Sequence, residues 1–345
     1  MTLPTHILVI RFSALGDVAM TVPVLRVVTA AYPEIKITVV SKNQYAPLFD
    51  DVPGVQFLEA DVYGRHKGFG LFKLASEAKE LGIDAVADLH NVIRSKIVRS
   101  TLWGRGIKTT AIDKGRAEKK KLTVGQNREL APLKSTHQRY ADVFMELGLK
   151  IDLDTHVFPA AKDISPRIHH FFGSQPKKAI GIAPFAAYTS KMYPLEMMKE
   201  VIARLDSLGD YKIFLLGAGA EEADILKSIE LEHKNVLNVA DQLTFGEELS
   251  LISNLDLMVS MDSSNGHLAA MYGVPVITMW GVTHPCLGFT PFEQPAENQL
   301  LTDREKFPLI PTSVYGNSFP VGYENAMETI TPSVVIAKIQ EIIEH

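Results

Sequence analysis

A chain of 345 residues with 46% hydrophobic positions and a formal net charge of -5 is long enough for two buried cores, and its acidic balance argues against nucleic acid as the main partner. Its single cysteine, Cys286, excludes an internal disulfide framework. Residues 1 to 10 lack a basic, leader-like start, and no apolar run approaches the roughly 18 residues of a membrane span, so the expectation is a soluble, cytoplasmic protein.

The first predicted strand, ILVIRF, runs into the turn Ser13-Ala14-Leu15-Gly16, with Asp17 at its tip. Asp17 is either a helix-start acid, favoured by free N–H groups and the helix dipole, or a general base held at a strand-to-helix turn. Gly16 would let a substrate approach the backbone there. The runs KITVVS and DAVADL read as further strands buried on both faces, with PVLRVVTAAY and LFKLASEAKEL as helices between them. Such alternation predicts a parallel sheet wrapped by helices. After DAVADL come His90 and Asn91, then Arg94, Lys96 and Arg99 at helical spacing. The run DKGRAEKKKL holds Lys114, Arg116, Lys119, Lys120 and Lys121, and reads either as a solvated, mobile loop or as an anion platform. The proline-punctuated stretch DLDTHVFPAAKDISPRIHHFFGSQPKK reads as the linker between domains.

The second half repeats the plan, with KAIGIAP, YKIFLLGAG, LDLMVSMD and VPVITMWG as strands alternating with four helical segments. Ligands in doubly wound sheets bind outside the carboxyl ends of strands, which makes the following loops the candidates for chemistry. The loop after KAIGIAP carries Thr189, Ser190 and Lys191; the lysine is either a solvated surface group or a charge able to neutralise a leaving diphosphate. The turn GAGAEEAD is a weak dinucleotide fingerprint in which Glu222 replaces the third glycine. Either Glu221 or Glu222 would suit ribose hydroxyls, and the sequence leaves open which turns inward. After LDLMVSM come Asp262, Ser263, Ser264, Asn265, Gly266 and His267, either an ordinary cap or a phosphate cradle flanked by an acid suited to sugar hydroxyls. Thr283 closes the last core strand, Cys286 reads as a bystander, and PSVVIAKIQEIIEH is an amphipathic terminal helix with Pro332 at its start.

Four pieces in order, ILVIRFSALGDVAMTVPVLRVV, the Thr189/Lys191 loop with Tyr193-Pro194, GAGAEEAD, and MDSSNGHLAAMYGVPVITMWGVTHP, resemble glycosyltransferase family 9, the heptosyltransferases of lipopolysaccharide core assembly and their relatives. The resemblance spans residues 7 to about 285. It implies two Rossmann-like α/β domains facing a cleft, the GT-B fold: residues 1–160 on the acceptor side, 161–330 binding a nucleotide-sugar, and a last helix, 331–345, crossing back to the first domain. It also implies metal-independent, inverting transfer with no cofactor, a donor that is ADP-linked, heptose as the sugar, and a lipopolysaccharide-core or lipid-linked saccharide acceptor. Asp17 then matches the catalytic base and Lys191 the lysine that neutralises the diphosphate. Thr189 and Ser190, Glu222 or Glu221, Leu243 at the adenine, Asp262 at the sugar hydroxyls, and Ser263, Ser264, Gly266 and His267 along the diphosphate make the donor set. Ser13, His90 and Arg94 are the acceptor candidates; on the second of its two readings the basic run is an anion platform for a phosphorylated, lipid-linked saccharide at the inner membrane face, and on the first a solvated loop. The chain departs from the family at Ser264, where glycine is common, which adds a Cβ beside the phosphates.

Other classes make different demands. A nicotinamide dehydrogenase would need a three-glycine turn with an acid about 20 residues on, which neither half has. A sugar-nucleotide epimerase of similar build would act without an acceptor, and a silent family member would bind the donor without transfer. A sugar-closing binding protein is usually exported, which the missing leader opposes.

Overall fold

The computed structural model describes residues 2–125, 129–173 and 177–344, so part of the predicted linker, 174–176, lies outside the described residues. In chain order the first elements are β1 (His6–Ile10), α1 (Leu15–Ala19), α2 (Thr21–Ala31), β2 (Lys36–Ser41), β3 (Val55–Glu59), α3 (Gly70–Glu80), β4 (Ala85–Asp88), α4 (Ile93–Trp103), β5 (Lys108–Ala111), α5 (Arg116–Lys121) and α6 (Thr136–Leu147). The five strands form one parallel sheet in the order β3-β2-β1-β4-β5. Every residue of β1 and β4 is buried, as continuous apolar runs between two helix layers require. The edge strands β3 and β5 are only partly buried and correspondingly polar, so they were not legible as apolar runs.

The second set is α7 (Pro166–Phe172), β6 (Lys178–Ala183), α8 (Leu195–Leu208), β7 (Tyr211–Leu215), α9 (Ala220–Glu230), β8 (Val236–Asn238), α10 (Phe245–Ser253), β9 (Leu257–Met261), α11 (Ser264–Ala270), β10 (Val276–Trp280), β11 (Gln299–Leu301) and α12 (Pro332–Glu344). Its parallel six-stranded sheet has the order β11-β10-β9-β6-β7-β8. Read from its own first strand, β6, this is the same winding as the first sheet with one strand added. In both, the order reverses beside the first strand, at β1/β4 and at β6/β9. These reversals are where doubly wound sheets open to ligands.

The chain divides into two compact units, 1–114 with 135–159, and 115–134 with 160–345. Three expectations need correction. The basic run is not a mobile loop of the first domain: it folds as α5 within the second unit, where Lys119 is buried with its ammonium 3.8 Å from the centre of the Phe289 ring. The linker contains α7, begun by Ser165, whose hydroxyl accepts from the Ile168 N–H at 3.3 Å, with Pro166 as the first helical residue. The terminal helix α12 belongs to the second unit's own core: Val335 and Ile339 are fully buried in it, and Tyr193 donates to the Ile330 carbonyl at 2.6 Å just before α12 begins. No helix among the described residues is long and apolar enough to cross a membrane.

Candidate active site

In the first unit, the β1/β4 reversal brings Asp17 and His90 into one hydrogen-bonded constellation. Arg11, the residue after β1, is buried and donates to the Leu89 carbonyl at 2.8 Å, while its other terminal nitrogen forms an ion pair with Asp17. Burial opposes the Arg11 charge, but Tyr140, Asp17 and Asp88 outweigh it and hold the guanidinium more firmly protonated than usual. Tyr140, on α6, lies under the guanidinium at 5.9 Å and donates to the Asp17 backbone carbonyl at 3.2 Å. The capping interaction expected of Asp17 is weak, since the Ala14 N–H is 3.4 Å away. Asp17 is therefore fixed by Arg11, while about a third of its side chain faces solvent. The ion pair, more than the cap, holds the carboxylate in place.

His90 is buried beside it. Its Nδ1 accepts from the Phe12 N–H at 3.3 Å, and its ring meets Phe12 edge-on. Burial, reinforced by Arg11 and Lys114, lowers its pKa to about 3, so the ring is neutral at physiological pH. With Nδ1 accepting, the proton sits on Nε2 and makes it a donor. The loop behind His90 is set by Asp88, whose carboxylate accepts from the His90 and Asn91 N–H groups at 3.0 and 2.7 Å and pairs with Arg99 at 3.3 Å. Ser13 lies half-buried in the turn between β1 and α1. Arg94 is exposed at the start of α4 and stacks over the Tyr63 ring at 4.7 Å. Arg11 and Tyr140 are the members that sequence reasoning missed. The signal for Arg11 stood inside the first matching piece, ILVIRFSALGDVAMTVPVLRVV; none pointed to Tyr140, which is 123 residues from Asp17.

In the second unit, the β6/β9 reversal brings Lys191, Asp262 and Thr283 together. Asp262, directly after β9, takes the Lys191 ammonium at 2.9 Å and the Thr283 hydroxyl at 2.8 Å on one oxygen. Thr283, which the sequence placed only at the close of a core strand, is buried in this cluster. Gly316 closes over the lysine stem: at φ +78°, an added Cβ would lie 2.5 Å from Lys191 Cδ. Ser190 is a correction. It is buried and its hydroxyl donates to the Gly316 carbonyl, so it anchors the loop and does not present a donor to a ligand. Thr189 next to it is exposed.

Of the two glutamates after β7, Glu222 turns inward: it accepts from the Ala218 N–H at 2.8 Å, with Gly217 leaving room for it, and Glu221 is exposed. Leu243 is half-buried just before α10, whose Ncap Thr244 and Glu247 satisfy each other's backbone N–H groups. Glu248 follows them; burial, aided by Asp241, raises its pKa to about 7. Along α11, the Ser263 hydroxyl is buried without a hydrogen-bond partner among the described residues, and Ser264 and His267 are half-buried. Gly266 is a second correction. Its α-carbon faces the core, where a Cβ would meet the Ser260 hydroxyl at 2.7 Å and Val276 at 3.3 Å, so this glycine packs the helix on the sheet.

The sequence profile described as glycosyltransferase family 9 (heptosyltransferase) matches residues 71–310, more than half of the chain. The chain belongs to glycosyltransferase family 9. It is a glycosyltransferase by that membership. It is 24% identical over 287 residues to the lipopolysaccharide core heptosyltransferase OpsX of Haemophilus influenzae, covering 82% of this chain and 80% of that one. A glycosyltransferase family 9 structure from Veillonella parvula matches over 100% of this chain and 99% of that one, with a TM-score of 0.76 at 19% identity. The Escherichia coli ADP-heptose lps heptosyltransferase II matches over 98% of each chain, with a TM-score of 0.70 at 20% identity. The structural matches establish for this glycosyltransferase the GT-B fold of paired Rossmann-like units.

Proposed function

We propose that this glycosyltransferase moves heptose from ADP-heptose to a saccharide acceptor of the lipopolysaccharide core or a related lipid-linked glycan, with inversion at the anomeric carbon. The observation that carries the mechanism is the solvent-reachable Asp17 carboxylate anchored on buried Arg11 at one strand-order reversal, with the Lys191–Asp262–Thr283 cluster at the corresponding reversal of the other sheet. The donor and acceptor classes come from what OpsX and heptosyltransferase II are called.

The chemistry follows from the residues. An acceptor hydroxyl attacks the anomeric carbon and Asp17 takes its proton; the bond from that carbon to the diphosphate oxygen breaks, and ADP leaves. The His90 Nε2–H, on a ring kept neutral at physiological pH, orients acceptor oxygens in this reading without competing for the proton. Lys191 has three N–H donors, so it can keep Asp262 while donating to the diphosphate as negative charge develops there. This is the work a divalent ion does in other transferases, and the mechanism proposed here uses no metal. Asp262 has a second carboxylate oxygen for a sugar hydroxyl. Glu222 takes ribose hydroxyls, Leu243 lies against the base, and Thr189 and the Ser263 hydroxyl serve the diphosphate.

The test is a mass-spectrometric transfer assay with ADP-, GDP-, UDP-, CMP- and dTDP-sugars, alongside thermal stabilisation by each. A ligand at 100 times its dissociation constant adds about 2.7 kcal/mol. Selective stabilisation by ADP-heptose, with heptose appearing on a core oligosaccharide, supports the proposal. Stabilisation by a different nucleotide-sugar alone moves the donor, isomerisation without an acceptor points to an epimerase, and donor binding without any turnover points to a silent member.

A further inference from the structure

The outer edge of the first sheet carries a groove that the transfer chemistry does not use. β5 ends the strand order, so among the described residues one side of its backbone pairs with no strand, and α4 and α6 flank it. Along this edge lies a groove of about 400 Å3, lined by Arg99, Ser100 and Trp103 of α4, Thr109 and Thr110 of β5, and Glu146 of α6. That size falls within the roughly 300–1,000 Å3 of small-molecule sites. Arg99, Ser100 and Trp103 share one side of α4 because residues three and four apart on a helix are neighbours. Trp103 is 69% exposed, whereas Trp280, the second of the chain's two tryptophans, is buried.

The chemistry of these walls selects the occupant. A large ring left in water beside hydroxyl, guanidinium and carboxylate groups offers its electron-rich face to the weakly positive C–H bonds on one side of a pyranose, while the polar groups take the sugar hydroxyls. Arg99 is not a free cation for a phosphate, because the buried Asp88 carboxylate holds it at 3.3 Å. That pair fixes the guanidinium and leaves further N–H donors for an uncharged partner. Glu146, exposed on α6, accepts from hydroxyls and repels anions. An added peptide strand would find only four residues of β5 to pair with, and an apolar helix would leave the carboxylate and the hydroxyls without partners.

We infer that the groove at the β5 edge is a second saccharide subsite, which takes an uncharged sugar of a glycan with Trp103 as its platform. The inference rests on the saccharide acceptor of the proposed function and extends it to a sugar other than the one that reacts. Asp88 links the groove to the acceptor loop, since the carboxylate that holds Arg99 also accepts the His90 and Asn91 N–H groups. A second point of attachment for a longer acceptor lowers its KM and leaves the chemical step alone.

The test reads Trp103 directly, because Trp280 is shielded in the core. Acrylamide quenching of tryptophan fluorescence is measured in the full-length protein, without donor, while a delipidated, dephosphorylated core oligosaccharide is titrated to millimolar concentration and inorganic phosphate is titrated separately. Protection by the oligosaccharide and not by phosphate is expected, with affinity about tenfold weaker in Glu146→Ala. Calorimetry should find the oligosaccharide still bound by Trp103→Phe, which keeps an aromatic face, and about tenfold more weakly by Trp103→Ala. Both side chains are exposed, and unchanged melting temperatures show that the variants fold. No protection at millimolar oligosaccharide, equal protection by phosphate, or binding undiminished in Trp103→Ala or Glu146→Ala overturns the inference. So does protection that follows protein concentration instead of oligosaccharide, which marks a second copy of the chain on this edge. Because the assay contains no donor, its failure leaves the transferase proposal standing, and transfer to a short acceptor tests that proposal separately.

Discussion

His90 gives the most quantitative prediction. Its imidazole is buried against Phe12, accepts a backbone N–H on Nδ1, and faces Arg11, with Lys114 and Arg94 adding to the unfavourable field, so its pKa falls from 6.5 to about 3. Between those values the unfolded chain binds a proton that the folded chain refuses. Stability therefore rises with pH in this window and is lost as pH falls below 6.5. At pH 5 the unfolded imidazole is 1.5 pH units below its own pKa, which at about 1.36 kcal/mol per unit is a penalty of about 2 kcal/mol relative to pH 8. The size does not depend on the folded value as long as that lies well below 5. For a unit of about 140 residues this corresponds to roughly 8 °C in melting temperature. Other groups titrate over the same range, so the assay is a comparison: calorimetry of the wild type and His90→Gln at pH 8 and pH 5. The wild type should lose about 8 °C more than the variant on acidification. Equal losses, or a His90 ring resonance that titrates near 6.5 by NMR, would refute the neutral-imidazole assignment and the Nε2–H donor that rests on it.

Asp17→Asn should lower kcat by about 100-fold or more while leaving donor-induced thermal stabilisation intact, because the base acts on the acceptor hydroxyl; retained turnover removes Asp17 from the mechanism. Lys191→Ala should lower kcat by about 100- to 1000-fold and weaken donor stabilisation, and it should also cost about 1–3 kcal/mol of stability because Asp262 keeps only Thr283; unchanged kinetics would sink the diphosphate role. Gly316→Ala at φ +78° should cost about 1–2 kcal/mol in backbone strain and reduce activity by displacing the Lys191 stem. Gly82→Ala, also at φ +78° but with nothing within 4 Å, should show the strain and leave the kinetics alone. Equal activity in the two variants would mean that Lys191 is not held by Gly316.

What the sequence made legible follows from how far each signal reaches along the chain. Strands buried on both faces, such as β1, β4, β6 and β9, are continuous apolar runs, and the residues just beyond them are the site: Asp17, His90, Lys191 and Asp262 all follow such runs. Edge strands escape because burial does not force their composition; β8 and β11 have three residues each, too few for any period. Direction is the second gap. Ser190 and Lys191 are neighbours in one loop, yet the serine turns into the protein and the lysine toward Asp262, a choice made by contacts with Gly316 and Val282 that local sequence does not encode. Gly266 is the same lesson in the other direction. A glycine in a suspected phosphate loop invites a ligand explanation, but here the close approach is to Ser260 and Val276. The Cβ of Ser264 therefore has to be judged on its own, because the glycine two residues on is taken up by packing against Ser260 and Val276.

The two constellations share a physical design with the charges exchanged. In the first unit the cation, Arg11, is the more buried partner and the carboxylate is left about a third exposed; in the second the carboxylate, Asp262, is slightly more buried than the ammonium it holds. Each anchor has further bonds of its own, Arg11 to Leu89 and Asp262 to Thr283, so neither reacting group has to be ordered when a substrate arrives. In the proposed transfer that order matters: a base has to be fixed where the proton leaves, and a cation where diphosphate charge appears, before either event occurs. A lone surface aspartate or lysine would give up side-chain freedom at that moment, roughly 2 kcal/mol for lysine, and the barrier would rise by the same amount. Placing each pair at the reversal of a doubly wound sheet lets the backbone supply this order in advance. It also explains why Asp17 and Asp262 sit beside strand ends that look, in sequence, like nothing more than helix caps.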